Sequence, residues 1–235
     1  MAINAAQQGR SMEFSPDVPK TFPGIGVAEG VVRSVSIPPY SPQLDLLERE
    51  VIRDLQTRYT LESVKNDPIF RAYRDFFWRV GVDPTKTRPA SEALVRRVLI
   101  KGTLPRINTA VDAYNTASAQ SGIPIAAFDA DLLAGTLTMR FGQVGETFRG
   151  IGIQKPIPLH PNQVILADAR EIVAIYPYRD ADSTRVTTET RNIHLVACGA
   201  PGINRDLVKA TYERCARYLK EFTGGSPDAV SVSPR

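Results

Sequence analysis

Apolar residues change their spacing along this chain, from a helical period before residue 121 to a strand-like alternation after residue 134, before one last helical stretch. That order of patterns constrains the fold more than any other feature. "SPQLDLLEREVIRDLQTRY" opens with Ser41–Pro42, an N-cap and first-turn pair, and puts Leu44, Leu47, Val51 and Leu55 on one face. "NDPIFRAYRDFFWRVG" starts at Asp67–Pro68 and stops near Gly81, with Phe70, Tyr73, Phe77 and Val80 in one stripe. Such a stripe reads as core and not as a base-stacking platform. "SEALVRRVLIKG" ends a third helix at Gly102, and a fourth runs from Thr109 to Ser121. Further on, "TLTMRF" alternates Leu137, Met139 and Phe141 with Thr136, Thr138 and Arg140, the mark of a half-buried strand. "QVILADA" and "REIVAIYPY" read as two more strands joined near Ala169–Arg170, and "NIHLVACG" as another. "INRDLVKATYERCARYLKEF" closes the pattern as a long helix. Helices first, then short strands with tight turns, predict an α+β fold with largely antiparallel sheet. We expect one domain over residues 14–223. Residues 1–13 lack periodicity and are expected to be disordered or tag-like, with Met12 a candidate natural start; the Gly/Ser/Pro-rich residues 224–235 are expected to form a flexible tail.

Composition narrows the functional classes. The 43% apolar and 23% charged content is that of an ordinary globular protein. No apolar run reaches the ~18 residues of a membrane span, and no signal peptide opens the chain. The only cysteines, Cys198 and Cys215, belong to no CxxC pair, and the only histidines are His160 and His194. Neither a disulfide framework, a metal centre nor a cofactor is expected, and a reducing cytoplasm fits this usage. Glycines in "FPGIGVAEG" give GxG without the third glycine or the helix that a dinucleotide fingerprint requires, and no P-loop, GxSxG or HExxH occurs. The net charge of +4 is uneven: seven basic residues against two acids lie between Arg79 and Arg106. Lys86, Arg88, Arg96, Arg97 and Lys101 therefore form a candidate phosphate- or RNA-binding run. The same run also reads as a solvated helix face with a Glu92–Arg96 pair at i,i+4.

"LPRINTAVDAYNTASAQSGIPIAAFDAD", residues 104–131, concentrates polar side chains in what otherwise reads as a buried helix and its exit. Asn108 suits the N-cap, and Thr109 with Asp112 matches a capping box, but one helix has one N-cap, and Asn115 lies beyond both. Burying such groups unpaired costs roughly 1–3 kcal/mol each. They therefore belong either to a structural network or to a ligand pocket.

This stretch, followed by "GETF", "VILAD" and "RDADSTRVTTETRNIHL", resembles the editing-type tRNA-binding domain of the bacterial phenylalanyl-tRNA synthetase beta subunit, the B-three/B-four domain. The likeness covers roughly residues 88–198, and the flanking segments resemble a free-standing version of that domain. The chain has no room for the other synthetase domains, so it is not expected to charge tRNA. The family's domain hydrolyses tyrosine wrongly attached to the phenylalanine tRNA. The resemblance implies a trans-editing hydrolase, an aminoacyl-tRNA deacylase, whose partner is aminoacylated tRNA. Arg106, Asn108, Asp112 and Asn115 match the helix motif, and Phe128 and Asp129 match its A–F–D segment. Asp182, Ser183, Val186, Thr187, Thr190 and Asn192 match the tail. Asn108 and Asn115 are then expected to orient substrate, and Asp112 or Asp129 to position water or the amino group. Arg106 and Arg179 would hold phosphate or brace carboxylates. The loop carrying Tyr178, Arg179, Asp180, Asp182 and Ser183 would shape the pocket, or form an Asx-type turn between strands. One position departs from the pattern: Ala126 stands where the family carries a histidine, and neither His160 nor His194 aligns with it. Two other readings stay open, a non-catalytic RNA-binding module and a binder of a free amino acid or related metabolite.

Overall fold

The computed structural model describes residues 11–234. Its elements run β1 (Glu13–Phe14), α1 (Asp17–Thr21), β2 (Gly26–Arg33), α2 (Pro42–Arg58), α3 (Pro68–Arg79), α4 (Ala90–Lys101), α5 (Thr109–Ser121), β3 (Ile125–Asp129), β4 (Thr138–Phe141), β5 (Thr147–Phe148), β6 (Ile157–Pro158), β7 (Val164–Ala167), β8 (Ile172–Ile175), β9 (Arg179–Asp180), β10 (Ile193–Gly199), α6 (Arg205–Thr223), β11 (Ser226–Pro227) and β12 (Ser231–Ser233). This is the α+β architecture read from the sequence, with the predicted helices at Pro42, Pro68, Ala90, Thr109 and Arg205 all present.

One sheet has the order β11-β2-β10-β3, with β12 also on β2; the other runs β1-β4-β7-β8-β9, and β5-β6 form a small hairpin. Pairing is antiparallel throughout except for β1 on β4, which is parallel. Strand β10 is the centre of its sheet, bonded on both sides over five or more residues. Helix α6 crosses β2 and β10, and α5 packs against α6, α2 and α4. A Cβ at Gly30 of β2 would lie 2.3 Å from the Tyr212 hydroxyl oxygen, so only glycine lets α6 come this close.

Helix α5 is buried on nearly every face, with Ala110, Ala113, Ala117 and Ala119 enclosed by neighbouring elements. Three of its buried hydroxyls are satisfied locally: Thr116 Oγ1 donates to the Asp112 carbonyl at 2.7 Å, Ser118 Oγ to that of Ile123 at 2.8 Å and Ser121 Oγ to that of Ala117 at 2.8 Å, while Thr109 Oγ1 is buried without a partner. The aromatic stripe of α3 is core, as its period predicts: Phe70, Tyr73 and Phe77 are buried with Phe76, and Phe22 meets Phe76 edge-on at 5.0 Å. Tyr73 Oη donates to the Cys198 carbonyl at 2.6 Å, tying α3 to the end of β10.

Two expectations at the chain ends change. The segment after Thr223, expected to fray, supplies β11 and β12, whose backbone groups pair with β2 and hold Ser233 buried. Pairing an otherwise open sheet edge outweighs the flexibility of a Gly/Ser/Pro-rich composition. At the other end, the expectation for residues 1–10 falls outside the described residues. Met12, assigned to the disordered lead, is buried, and its backbone N–H donates to the Glu29 carboxylate, which also meets His194 Nε2 at 2.8 Å. No described helix is long and apolar enough to cross a membrane.

Candidate functional site

The polar residues at the start of α5 separate into two groups with different partners. Asn108 is the N-cap, its side chain accepting the Val111 N–H at 3.0 Å. Asp112 accepts the Ile107 N–H at 2.9 Å and so staples the incoming loop to the first turn. Arg106 reaches α2, where it pairs with Asp45 and with Glu48 at 2.8 Å, while Asp112 lies 4.0 Å away. Burial raises the Glu48 carboxyl to about 7 against the pull of Arg106, and burial also raises Asp112 against the Ile107 N–H and Arg106. Asn108 is the N-cap of its structural reading, and Arg106 braces carboxylates, the second of its two expected roles. Asp112, expected to position water or the amino group, instead holds the entry loop beside the Arg106 joint between α2 and α5.

The next turn of the helix points elsewhere. Val111, Tyr114 and Asn115, at i, i+3 and i+4, line a cavity of about 290 Å³. Ile107 adds to that wall; Ile125, Ala126 and Cys198 come from β3 and β10, and Leu166, Ala174 and Ile175 from the second sheet. The turn Tyr176–Asp180 and the pair Arg185–Val186 complete the lining. The cavity thus sits between the two sheets and beneath α5. Ala126, where the resemblance expects a histidine, contributes a methyl group to the wall.

Asp180 is placed by the short β8–β9 pairing, opposite Ala174. Its carboxylate accepts the Ala127 N–H at 3.3 Å. Burial pushes this carboxyl up to about 7, opposed by the Ala127 N–H and by Arg179. Burial likewise raises the hydroxyls of Tyr114 and Tyr178 and the Cys198 thiol, with the Asp180 charge adding to the shift at Tyr114 and Cys198. Arg179 donates to the Ile151 carbonyl at 3.0 Å and runs beside Gly150, where a Cβ would lie 2.5 Å from its Cγ. Asp182 does not line the cavity; it is bridged by Arg149 at 2.9 Å and by Arg185. Two exposed arginines, Arg179 and Arg185, therefore line the cavity, and Arg185 is paired to Asp182 outside it.

Of the sequence candidates, then, Asn115, Tyr178, Arg179 and Asp180 converge on the cavity with Val186 of the tail motif, and the others lie outside it. Phe128 is fully buried in the core, and Ser183 is exposed on the loop. Asp129, expected to position water, accepts the Thr190 hydroxyl at 2.7 Å and the Asp131 N–H at 3.1 Å, while Asn192 holds Asp131 at 2.9 Å. The tail motif thereby fastens the 182–192 loop to the end of β3. In the basic run, Lys86, Arg88 and Lys101 are exposed, but Arg96 and Arg97 are half-buried on α4. Arg96 donates to the Leu61 carbonyl at 3.1 Å and, with Arg74 at 3.0 Å, flanks the buried Glu92 carboxylate. The run read for RNA is thus in part the i,i+4 pair of the alternative reading. Sequence reasoning missed Val111, Tyr114, Tyr176 and Arg185; only Tyr114 carried a signal, as the neighbour of Asn115. Among the described residues no group of three or more His, Cys, Asp or Glu side chains is placed to hold a metal ion.

The family model of the B3/4 domain matches residues 72–224. The chain is 35% identical over 136 residues to the phenylalanine–tRNA ligase beta subunit of Gloeobacter violaceus, covering 55% of this chain and 17% of that protein. It is 33% identical over 173 residues to the beta subunit of Geobacter metallireducens, covering 63% of this chain and 21% of that protein. It therefore spans about a fifth of the length of these relatives. Among solved structures, an N-terminal fragment of the phenylalanyl-tRNA synthetase beta subunit from Pyrococcus horikoshii superposes with a TM-score of 0.53 at 13% identity, over 96% of this chain and 54% of that one. With two sheets, a capping helix and a cavity between them, and with the family model matching well over half of its length, this chain belongs to the B3/4 domain family.

Proposed function

We propose that this protein receives the aminoacyl end of a charged tRNA in the cavity beneath α5 and hydrolyses the ester of a mischarged species in the cytoplasm. The observation that carries the reading is the cavity itself: apolar walls, a few convergent polar groups inside and arginines at the mouth. An amino-acid side chain suits the apolar interior, and a nucleotide phosphate suits Arg179 and Arg185 at the opening. The named relatives, phenylalanine–tRNA ligase beta subunits, supply the tRNA context.

The test is release of amino acid from a panel of correctly and incorrectly charged tRNAs, with wild type compared to Asn115→Ala. Release from a mischarged pair, lost on substitution, supports an editing hydrolase. No release from any pair refutes hydrolysis.

A second reading, capture of a free amino acid, is favoured by the engagement of Arg96 within the protein, which thins the basic run. Ionic strength separates the two. Binding through phosphates weakens steeply with salt, whereas binding of a small zwitterion does not.

A further inference from the structure

We infer that Asp180 is the proton acceptor for the water that attacks the aminoacyl ester, an inference that rests on the hydrolase reading above. A group at the reacting centre that both takes and returns a proton speeds hydrolysis at neutral pH by roughly 10²–10⁴-fold. Among the described residues the cavity is lined by one carboxylate and by no histidine, serine, threonine or lysine. The remaining titratable side chains are less suited: burial raises the Tyr114 hydroxyl well above its ordinary value, so it stays protonated at neutral pH. Tyr176 Oη is committed to the Gly199 carbonyl at 2.6 Å, and Tyr178 Oη accepts the Gln163 amide at 3.2 Å. The Cys198 thiol donates to the Val196 carbonyl at 3.5 Å, and burial keeps it protonated. Arg179 is held by the Ile151 carbonyl and Arg185 by Asp182.

Asp180 is left, and its setting suits the task. Its main chain is fixed, because the Ile151 N–H donates to its carbonyl at 2.9 Å and β9 pairs with β8. The carboxylate itself meets a single, long protein donor, the Ala127 N–H at 3.3 Å, so its other lone pairs are available to a water molecule. Burial brings the carboxyl to about 7, where a base is both present and strong enough at neutral pH. The charged and titratable groups around it are Arg179 on its own strand, Tyr114 on α5 and Cys198 on β10, with Tyr178 and Arg185 further along the wall. On the opposite wall Asn115, whose amide has no hydrogen-bond partner among the described residues, is a donor for the ester carbonyl oxygen.

The step balances with water alone. The water oxygen bonds to the carbonyl carbon as its proton passes to Asp180. The tetrahedral species then expels the ribose oxygen, which takes that proton back from the Asp180 carboxyl. An ester and a water become a carboxylic acid and a free terminal hydroxyl.

Single-turnover deacylation of the same charged tRNA by wild type, Asp180→Asn and Asp180→Glu, from pH 5.5 to 8.5, tests the assignment. The wild-type rate should rise with pH to a break near 7 and then level. Asp180→Asn should lose about 100-fold or more in rate and lose the break, with tRNA binding unchanged. Asp180→Glu, which keeps a carboxyl, should be slow but retain a break. If Asp180→Asn stays within threefold of wild type, or weakens tRNA binding at an unchanged rate, the proton role is overturned. A wild type that releases nothing from any charged tRNA overturns the hydrolase reading, and the inference with it. A wild type that is active with no break near 7 overturns the inference alone.

Discussion

Arg106→Ala tests the claim that the motif arginine joins two helices and does not serve a ligand. Arg106 sits among three carboxylates, Asp45, Glu48 and Asp112; Asp45 has a second cation in Arg49 at 2.8 Å, but the ion pairs of Glu48 and Asp112 are with Arg106. Glu48 is 1% exposed, one of its oxygens has no hydrogen-bond partner, and the Arg106 side chain is 47% exposed. Removing one partner of a fully buried pair costs about 3–5 kcal/mol, and an exposed pair is worth about 0–1 kcal/mol. A pair with one member buried and the other half in water falls between, at about 2 kcal/mol at pH 8. The dependence on pH carries more information than the size. Arg106 is the strongest influence lowering Glu48 and also lowers Asp112, so its loss raises both carboxyls further. A group whose folded value lies above its unfolded value holds its proton more tightly when folded, so stability falls as pH rises through that window. For Glu48 in wild type the window runs from 4.5 to about 7; in the variant it extends higher. The deficit of Arg106→Ala should therefore shrink to less than about 1 kcal/mol at pH 5.5, where Glu48 is protonated in both proteins. Urea unfolding at the two pH values measures it. A deficit that is equal at pH 5.5 and pH 8, or larger at the lower pH, would refute the joint. So would an Arg106→Ala protein of wild-type stability that no longer binds tRNA.

Three further outcomes follow from the same geometry. Asp180→Asn should be stabilised relative to wild type as pH rises from about 4 to about 7, by no more than about 4 kcal/mol, because the buried carboxylate no longer has to ionise; chemical denaturation across that range reads it. Truncation after Gly225 removes β11 and β12 from β2, and should lower the melting temperature by several degrees in a calorimetric scan; an unchanged melt would mean the tail pairs without holding the fold. Ala126→Phe places a ring in the cavity, and should reduce aminoacyl-ester turnover at least tenfold while the melting temperature stays within a few degrees; unimpaired turnover would move the site elsewhere.

The helices were legible because each has a local start signal and a periodic stripe. Ser41–Pro42 and Asp67–Pro68 cap their helices as read, with the Ser41 and Asp67 side chains accepting from Leu44 and Ile69. Strand β2 was not legible, though it pairs with β10 from Gly26 to Val32. "GVAEGVVR" carries two glycines and a buried glutamate, and its first four residues are all buried, so no alternation marks it. The reason for Gly30 lies in Tyr212, which is 182 positions away in the chain. Two-residue strands such as β9 have no period at all, yet β9 is what sets Asp180 in the cavity. Locally encoded elements were thus readable, and those defined by a distant partner were not.

The same division explains why the polar motif pointed close to the site but not at it. A polar side chain in a buried helix declares that it has a partner, and the sequence does not say whether that partner is protein or ligand. Asn108 and Asp112 are i and i+4 and face the loop and α2, where backbone N–H groups and Arg106 satisfy them. Asn115 lies three residues beyond Asp112, about 60° short of a full turn, enough to put it on the cavity wall with Val111 and Tyr114. What makes that wall chemically useful comes from the other side, where the β8–β9 hairpin carries Tyr178, Arg179 and Asp180 to face it. The apolar majority of the lining, Ile107, Ile125, Leu166, Ala174 and Ile175, reads in sequence as ordinary core. A cavity is core positions left unfilled, and which positions stay unfilled depends on the separation of two sheets. The polar joint at Arg106 and Asp112 and the space beside Asn115 share a residue: Asp112 holds the Ile107 N–H at 2.9 Å, and Ile107 lines the cavity wall. Loosening the joint should therefore alter the cavity without touching any residue in its wall.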